Sequence, residues 1–337
     1  MLLYSDFSLK DSNTFNLAAK AEYYFEIAER QDLESFIRKR RYFEMPRIIL
    51  GNGSNIVFSK DFKGVVLKNL LSGIEVLQDD DNQAVVKVSS GEDFDKFVDF
   101  CVKKHYFGLE NLSGIPGTIG ASAVQSIGAY GADVKNYIQE VEYYDFADYS
   151  FKTIKGEDCK FGYRDSIFKN DLKDNAFVTS VTFKLEKKFV PILDYDYLRQ
   201  RLSEFQILTP NIVRRVILAI RSERIPDFRQ FGNAGSFFKN PELTKAAAEK
   251  LKAQFPELKA YEQENGKVKL AAGQLIDLCG FKKIEEGAKV GVAKNNALIM
   301  LNLGNATGKD ILAYAKKIEK TVKEKFGIKL EPEVVIC

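Results

Sequence analysis

Residues 107–136 have the sequence FGLENLSGIPGTIGASAVQSIGAYGADVKN, and this stretch decides how the rest of the chain is interpreted. Glycines recur through it without a regular period, which is typical of neither a helix nor a strand. Apolar residues such as Leu109, Leu112 and Ile119 lie between the glycines and would anchor the segment to a core. Because a long ordered loop inside a compact domain usually carries function, the stretch predicts a binding loop and not a linker.

A second glycine-rich stretch, LGNGSN, occupies residues 50–55. Closely spaced glycines let backbone N–H groups converge on an anion. A dinucleotide-binding GxGxxG loop needs a third glycine and a following helix, and a Walker A loop needs Gly-Lys-Ser/Thr, so neither motif is matched. On this stretch alone, a hairpin turn between strands at 47–50 and 55–58 is the simpler interpretation. Together, the two glycine-rich stretches favour a ligand with phosphates and a flat ring system.

The composition excludes several kinds of chemistry. The chain has 337 residues, a single histidine, His105, and no tryptophan. A His-rich metal centre therefore cannot form, a Ser-His-Asp triad would need His105 alone, and we predict no metal site. The net charge of +3 gives no strong field toward nucleic acid or an anionic membrane. The four cysteines form no CxxC pair, and the sequence shows neither a signal peptide nor a membrane span, so we expect a cytoplasmic protein with reduced thiols.

Hydrophobic periodicity outlines the principal elements. Apolar residues at helical spacing predict helices over 94–102, 212–220 and 307–327. Alternation over 179–185 predicts a half-buried strand. Pro226 cannot continue a helix, and we therefore expect a domain boundary near it.

Three further motifs carry polar side chains between bulky neighbours: YRDSIFK at 163–169, GNAGSFFKNP at 232–241 and LEPEV at 330–334. An arginine such as Arg164 can hold a carboxylate or phosphate through two hydrogen bonds, although most arginines are solvated surface residues. Ser236 follows small residues and precedes two phenylalanines, but it is not part of a GxSxG elbow. Glu331 and Glu333 fit either a functional strand or a polar sheet edge.

Six segments, in their order along the chain, resemble the UDP-N-acetylenolpyruvoylglucosamine reductase family: GLENLSGIPG, IGAYG, YRDSIFK, GNAGSFFKNP, AAGQLID and LEPEV. The resemblance runs from Asn13 to Glu333. Tyr195 and the insertion around Tyr261 are similar to the longer, type I branch of the family. The resemblance implies an α+β fold, in which an FAD-binding domain of the vanillyl-alcohol-oxidase type, in two subdomains, is joined to an α+β substrate-binding domain.

The same resemblance implies domain limits. Residues 1–225 would form the FAD-binding domain, with its subdomains divided near residue 72. Residues 226–327 would bind the substrate, and residues 328–337 would form a C-terminal strand that returns to the FAD-binding domain.

Site residues are also implied by motif position. FAD would be held by Gly51, Asn52, Gly53, Ser54, Asn55, Ser113, Pro116, Gly117, Thr118, Gly120, Gln125, Gly128 and Tyr130. The UDP-sugar would be contacted by Tyr195, Arg224, Asn240, Tyr261 and Asn296. The catalytic positions would be Arg164, Ser236 and Glu333.

The implied reaction uses these residue types without a histidine, since hydride transfer belongs to the flavin. NADPH would supply the hydride as co-substrate, and the enolpyruvyl group of the UDP-sugar would receive it at C3. Arg164 would stabilise the charge that delocalises into the substrate carboxylate. Ser236 would protonate C2, and a general acid of this kind contributes about 10²–10⁴-fold in rate. We expect Glu333 to be neutral and to donate a hydrogen bond, because an ionised carboxylate there would repel the growing negative charge.

Two other functions remain open at this point. The same fold could serve an FAD-dependent oxidase of a small alcohol or hydroxy acid, although His105 lies outside both glycine-rich stretches and could not tether a flavin there. A non-catalytic nucleotide-binding module is the other alternative, and Arg164, Ser236 and Glu333 disfavour it. The family assignment predicts an enzyme of peptidoglycan precursor synthesis that acts as a monomer in the cytoplasm, without nucleic acid or membrane partners.

Overall fold

A computed structural model describes residues 2–263 and 265–337. The helices, in chain order, are α1 (Arg30–Arg38), α2 (Arg40–Phe43), α3 (Phe94–Lys104), α4 (Ile119–Gln125), α5 (Asp196–Leu202), α6 (Pro210–Arg224), α7 (Lys245–Gln254), α8 (Ala272–Leu278) and α9 (Gly308–Phe326). Short 3₁₀ turns cover Lys10–Ser12, Glu110–Leu112, Val134–Asn136, Gly156–Cys159 and Ile167–Lys169.

The strands are β1 (Leu2–Ser8), β2 (Lys20–Ile27), β3 (Arg47–Leu50), β4 (Ile56–Val57), β5 (Phe62–Asn69), β6 (Ile74–Asp79), β7 (Gln83–Ser89), β8 (Gly128–Ala129), β9 (Ala132–Asp133), β10 (Ile138–Asp145), β11 (Ser150–Lys155), β12 (Ala176–Glu186), β13 (Glu242–Thr244), β14 (Ala260–Glu262), β15 (Lys267–Leu270), β16 (Val290–Ala293), β17 (Asn296–Asn302) and β18 (Val335–Ile336).

The chain divides into two compact units. The first contains residues 2–7, 21–52 and 63–221. The second contains residues 8–20, 53–62 and 222–337, so two segments from the N-terminal part of the chain belong to it. In the expected division residues 1–225 formed one domain, whereas here residues 8–20 and 53–62 group with the second unit.

The first unit is built on two sheets, with strand orders β1-β2-β5-β3 and β11-β10-β12-β7-β6. The strand predicted over 179–185 is confirmed as part of β12, but it is more deeply buried than the alternating pattern indicated. Thr179 and Ser180 are buried as well as their apolar neighbours. They tolerate burial because both hydroxyls donate hydrogen bonds to Glu142, at 3.4 and 3.3 Å. The strand lies between β10 and β7 in the middle of its sheet.

Helix α3 confirms the helix predicted over 94–102. Asp93 caps its start, since the Asp93 side chain accepts a hydrogen bond from the Lys96 N–H at 3.0 Å. The single histidine, His105, ends the helix in a left-handed conformation. Cys101 lies on the buried face of the helix, where burial raises the pKa of its thiol well above the ordinary value. Cys101 therefore has a structural role.

The second unit is centred on α9. Thr307 and Asp310 form a capping box at the start of the helix predicted over 307–327, with the Asp310 N–H donating to Thr307 Oγ1 at 3.2 Å and the Thr307 N–H donating to Asp310 Oδ2 at 2.8 Å. Gly327 ends the helix with φ +71°. One face of the helix buries Ile311, Ala315, Ile318, Val322 and Phe326.

The remaining elements of the second unit form small sheets, with strand orders β13-β15-β14, β16-β17 and β18-β4. Within the described residues, every helix is too short or too polar to span a bilayer. In the same part of the chain, histidine, cysteine, aspartate and glutamate side chains do not gather in threes as a metal site would require.

Glu110 has a buried carboxyl group in the first unit, and its ionisation makes the free energy of unfolding depend on pH. The residue is 5% exposed, and its Oε2 accepts a hydrogen bond from the Gly108 N–H at 2.9 Å. Within residues 2–263 and 265–337, its Oε1 has no hydrogen-bond partner. Burial raises the pKa of Glu110 above the ordinary value. The folded state therefore holds a proton on this side chain at pH values where the unfolded state has lost it.

We expect Glu110→Gln to raise the free energy of unfolding at neutral pH, since the glutamine side chain carries no charge to bury. In the unsubstituted protein, stability contributed by Glu110 falls as the pH rises from the ordinary glutamate pKa through the raised one. The advantage of Glu110→Gln should therefore vanish at acidic pH. Urea unfolding from about pH 4 to pH 8 tests this. A glutamine variant that is less stable than the unsubstituted chain at neutral pH would contradict it.

Candidate functional site

The two glycine-rich stretches meet in the first unit. A Cβ atom added to Gly51 would lie only 2.8 Å from Thr118 Oγ1. The Asn52 Nδ2 group donates to the carbonyl oxygen of Gly117 and to Asp93 Oδ2, both at 3.2 Å. Gly51 thus lacks a side chain at the point where the stretch that contains Thr118 comes closest to it. The sequence prediction that the two stretches act together is consistent with this arrangement.

Partly buried charged side chains hold both stretches in place. The Lys68 ammonium donates to the Gly51 carbonyl oxygen at 2.6 Å, and burial lowers the pKa of Lys68. The Gly114 N–H donates to Asp95 Oδ1 at 2.6 Å, and Arg214 pairs with both oxygens of Asp95 at 2.5 and 3.0 Å. Burial would raise the pKa of Asp95, but the hydrogen bonds from Arg214 and Gly114 lower it overall. Lys68 and Asp95 thus find their hydrogen-bond partners within the protein.

The hairpin interpretation of residues 50–55 is wrong. Strand β3 pairs with β5 in the first unit, whereas β4 pairs in parallel with β18 in the second. A Cβ atom on Gly53 would lie 2.0 Å from the Ser12 carbonyl oxygen, and Gly53 has φ +64°, so only glycine fits there. Asn55 Nδ2 donates to the Glu333 carbonyl oxygen at 3.3 Å. The stretch therefore passes from one unit to the other and does not turn back.

The end of α4 presents polar atoms that the protein leaves unpaired. Gln125 Nε2 and Ser126 Oγ are buried, and neither has a hydrogen-bond partner within the described residues. Ser126 and Tyr130 both have positive φ, +48° and +52°, which costs energy in residues other than glycine. Unpaired buried donors beside a strained backbone point to a ligand that offers hydrogen-bond acceptors.

Arg164 lies against this same segment. Its guanidinium donates to the carbonyl oxygens of Gly128 and Ser126, at 2.5 and 3.4 Å, and its φ is +55°. The Tyr130 and Tyr195 rings meet edge to face with centroids 5.4 Å apart. The first unit therefore brings the predicted catalytic arginine and one predicted substrate residue to the predicted cofactor segment.

In the second unit, the backbone after Ser236 pairs with the LEPEV segment, residues 330–334. The Glu333 N–H donates to the Phe237 carbonyl oxygen at 2.8 Å, and the Lys239 N–H donates to the Glu331 carbonyl oxygen at 2.9 Å. These bonds align the segment after Ser236 antiparallel to the LEPEV strand, as the bridge between Phe238 and Pro332 also shows. The pairing therefore places the backbone of Glu333 opposite that of Phe237, the residue after Ser236.

The loop before Ser236 is fixed by close packing. A Cβ atom on Gly232 would lie 2.2 Å from the Phe15 carbonyl oxygen. The Asn233 amide donates to the carbonyl oxygens of Pro226 and Phe231, at 3.0 and 2.8 Å. Gly235 has φ +68°, a conformation that favours glycine. The backbone geometry thus favours glycine at both Gly232 and Gly235.

Two of the remaining predicted substrate residues approach the start of α8. Asn240 Oδ1 accepts a hydrogen bond from the Ala272 N–H at 3.0 Å, and Asn296 Oδ1 lies 3.4 Å from where a Gly273 Cβ would be. Tyr261 lies on β14 with 48% of its surface exposed, and Arg224 is the last residue of α6.

Sequence reasoning missed three residues that hold the site together: Lys68, Asp95 and Lys169. Lys169 lies within the YRDSIFK motif, so the motif itself was the available signal. Asp95 lies in the first turn of α3, where the helix dipole alone already favours an acidic residue. Lys68 carried no signal, because its partner is a backbone carbonyl group distant in sequence.

Family models match both parts of the chain. A model of the FAD binding domain matches residues 21–150. A model of the C-terminal domain of UDP-N-acetylenolpyruvoylglucosamine reductase matches residues 227–337. The α+β fold with an FAD-binding domain of the vanillyl-alcohol-oxidase type is thereby confirmed.

Full-length relatives carry the same name as the C-terminal model. The UDP-N-acetylenolpyruvoylglucosamine reductase of Bacteroides fragilis (strain YCH46) is 41% identical over 335 residues, which is 97% of this chain and 98% of the relative. That of Chromobacterium violaceum is 40% identical and covers 98% of both chains. A crystal structure of the Thermus caldophilus reductase shares the fold, with a TM-score of 0.66 at 24% identity over 99% of this chain and 98% of that one. This chain belongs to the UDP-N-acetylenolpyruvoylglucosamine reductase family.

Proposed function

We propose that this chain is an NADPH-dependent flavoenzyme that reduces UDP-N-acetylglucosamine enolpyruvate to UDP-N-acetylmuramate in peptidoglycan precursor synthesis. The observation that carries the proposal is the match to relatives of that name along nearly the whole chain. The match supports the reductase over an FAD-dependent oxidase of a small alcohol or hydroxy acid, because it extends through the C-terminal domain.

The residues present fit FAD. Gln125 Nε2 and Ser126 Oγ supply buried donors that the protein itself leaves unpaired. Gly51 packs directly against Thr118, so the two glycine-rich stretches lie side by side in the first unit. We therefore assign FAD to the positions predicted from the sequence in residues 51–55, 113–120 and 125–130.

Bound FAD supplies the hydride chemistry, with NADPH as the electron source. Arg164 holds the carboxylate of the enolpyruvyl group and stabilises negative charge as it develops there. Ser236 Oγ gives its proton to C2 of the substrate. The Glu333 backbone pairs with Phe237, the residue after that serine, and we propose that the Glu333 side chain donates a hydrogen bond as a neutral acid.

The UDP-sugar is assigned to Tyr195, Arg224, Asn240, Tyr261 and Asn296. Asn240 and Asn296 support this assignment, because both side chains reach the same turn of α8. Arg224 supplies a positive charge suited to a phosphate of the UDP group. We propose that the second unit provides most of these contacts and that the first provides most contacts to FAD.

We also propose that the enzyme works as a monomer in the cytoplasm, without nucleic acid or membrane partners. The cysteines are in the reduced thiol form, which suits a reducing compartment. The net charge of +3 supports the absence of polyanionic partners.

The reaction separates into two halves that can be watched independently. We expect the purified protein to carry flavin absorbance that NADPH bleaches and that returns rapidly only when UDP-N-acetylglucosamine enolpyruvate is added without oxygen. Anaerobic stopped-flow spectroscopy makes the measurement. Absence of flavin, or rapid return of colour with oxygen and no effect of the UDP-sugar, would refute the reductase.

Ser236→Ala is the variant for the same experiment. Because Ser236 acts only on the substrate, bleaching by NADPH should stay within about twofold, whereas colour return with the UDP-sugar should slow by about 10²–10⁴-fold. Equal slowing of both halves would show that the serine does not act as the proton donor.

Glu333→Gln tests the neutral form of the carboxyl group. A glutamine also donates a hydrogen bond without a charge, so turnover should remain within about tenfold of the unsubstituted enzyme, whereas Glu333→Ala should lose about 10²-fold or more. Steady-state rates with both substrates saturating measure the difference. If Glu333→Gln is as inactive as Glu333→Ala, the carboxyl group must carry a charge or transfer a proton.

A further inference from the structure

Lys169 contacts both Gln125, a proposed cofactor residue, and Arg164, a proposed catalytic residue. It is the last residue of the 3₁₀ turn Ile167–Lys169, and its side chain is partly buried. Its ammonium donates one hydrogen bond to Gln125 Oε1 at 2.9 Å and another to the Arg164 carbonyl oxygen at 2.8 Å. A single cation thus touches the side chain of a proposed cofactor residue and the backbone of a proposed catalytic residue.

The contact with Lys169 determines which way the Gln125 amide faces. An ammonium group has donors and no acceptor, so only the amide oxygen can face it. The Nε2 group must then point away from Lys169. There it is buried and has no hydrogen-bond partner within residues 2–263 and 265–337. A buried donor without a partner is unfavourable unless a ligand supplies an acceptor.

The contact with Arg164 acts on a strained backbone. Arg164 has φ +55°, in the left-handed region. Its carbonyl oxygen is held by Lys169, and its guanidinium holds the carbonyl oxygens of Ser126 and Gly128. The amide of Gln125 and the guanidinium of Arg164 are therefore oriented by one connected set of hydrogen bonds.

We propose that Lys169 is a positioning residue that fixes the Gln125 amide so that Nε2 donates to an acceptor on the flavin ring. This inference rests on the proposed function. The ring, and not a phosphate, is the partner because Gln125 belongs to the same set of hydrogen bonds as Arg164, which acts at the reacting end of the substrate. Lys169 itself touches neither FAD nor substrate in this account.

A donor to the flavin ring stabilises the reduced cofactor more than the oxidised one, because reduction adds electron density to the ring acceptors. Loss of the donor should therefore shift the midpoint potential of the bound flavin to a more negative value. It should also weaken FAD binding. Neither change is expected if Lys169 merely stabilises the fold.

The test compares Lys169→Met, Gln125→Leu and the double variant. We expect each single variant to raise the FAD dissociation constant of the apoprotein by about tenfold and to make the midpoint potential more negative. The double variant should match Gln125→Leu, since Lys169 acts only through Gln125 on both readouts. Lys173→Met is the control, because Lys173 is an exposed lysine four residues away in the chain, and it should leave both readouts unchanged.

Gln125→Glu keeps the test valid if Lys169→Met does not fold. A carboxylate strengthens the contact with Lys169 but removes the Nε2 donor. The proposal predicts unchanged thermal stability with weaker FAD binding and a more negative potential, whereas a purely structural contact predicts unchanged FAD binding. Lys169→Arg, which retains donors, should recover FAD binding to within about threefold of the unsubstituted protein.

Additive effects in the double variant, or a Lys169→Met protein with unchanged potential and FAD affinity, would overturn the inference while the proposed function stands. Failure of the unsubstituted protein to bind FAD would overturn the proposed function itself. The two failures are therefore distinguishable in one set of titrations.

Discussion

The close approach of Gly51 to Thr118 is the constraint on which the cofactor side of the molecule depends. No side chain larger than glycine fits between the two loops, and the Asn52 amide then spans the gap to the Gly117 carbonyl oxygen. Thr118 cannot easily move aside, because its hydroxyl caps α4 by accepting the Ala121 N–H. The two loops are therefore held side by side, and closely spaced loop N–H groups of this kind suit a phosphate-bearing cofactor.

In the second unit, backbone pairing holds the segments that carry Ser236 and Glu333. The C-terminal strand β18 lies parallel to β4, and the preceding residues pair with the segment after Ser236. Glu333 is therefore positioned by its own N–H and carbonyl groups, which bond Phe237 and Asn55. Side-chain chemistry at Ser236 and Glu333 can change by substitution while this frame persists. The family match through residues 227–337 includes both partners of the pairing.

Sequence patterns predicted the features that depend on interactions between residues close together in the chain. The helical stripe of α3 and the capping box of α9 were predictable because both depend on residues three or four apart. The hairpin at 50–55 was wrong because its two strands pair with partners distant in sequence. Lys68 carried no sequence signal and Lys169 only its place in the YRDSIFK motif, since the role of each depends on a carbonyl or amide oxygen that only the folded chain brings near. The family resemblance supplied the proposed site residues, which no periodicity could indicate.

The dissociation constant of FAD from a Gly51→Ala protein tests the shared cofactor surface most directly. The added methyl group would lie 2.8 Å from Thr118 Oγ1 and must separate the two loops. We predict that the dissociation constant rises at least about tenfold and that Thr118→Ala in the same chain recovers part of the loss, because the smaller residue relieves the contact. Gly51→Ala protein that binds FAD as tightly as the unsubstituted chain would contradict the account.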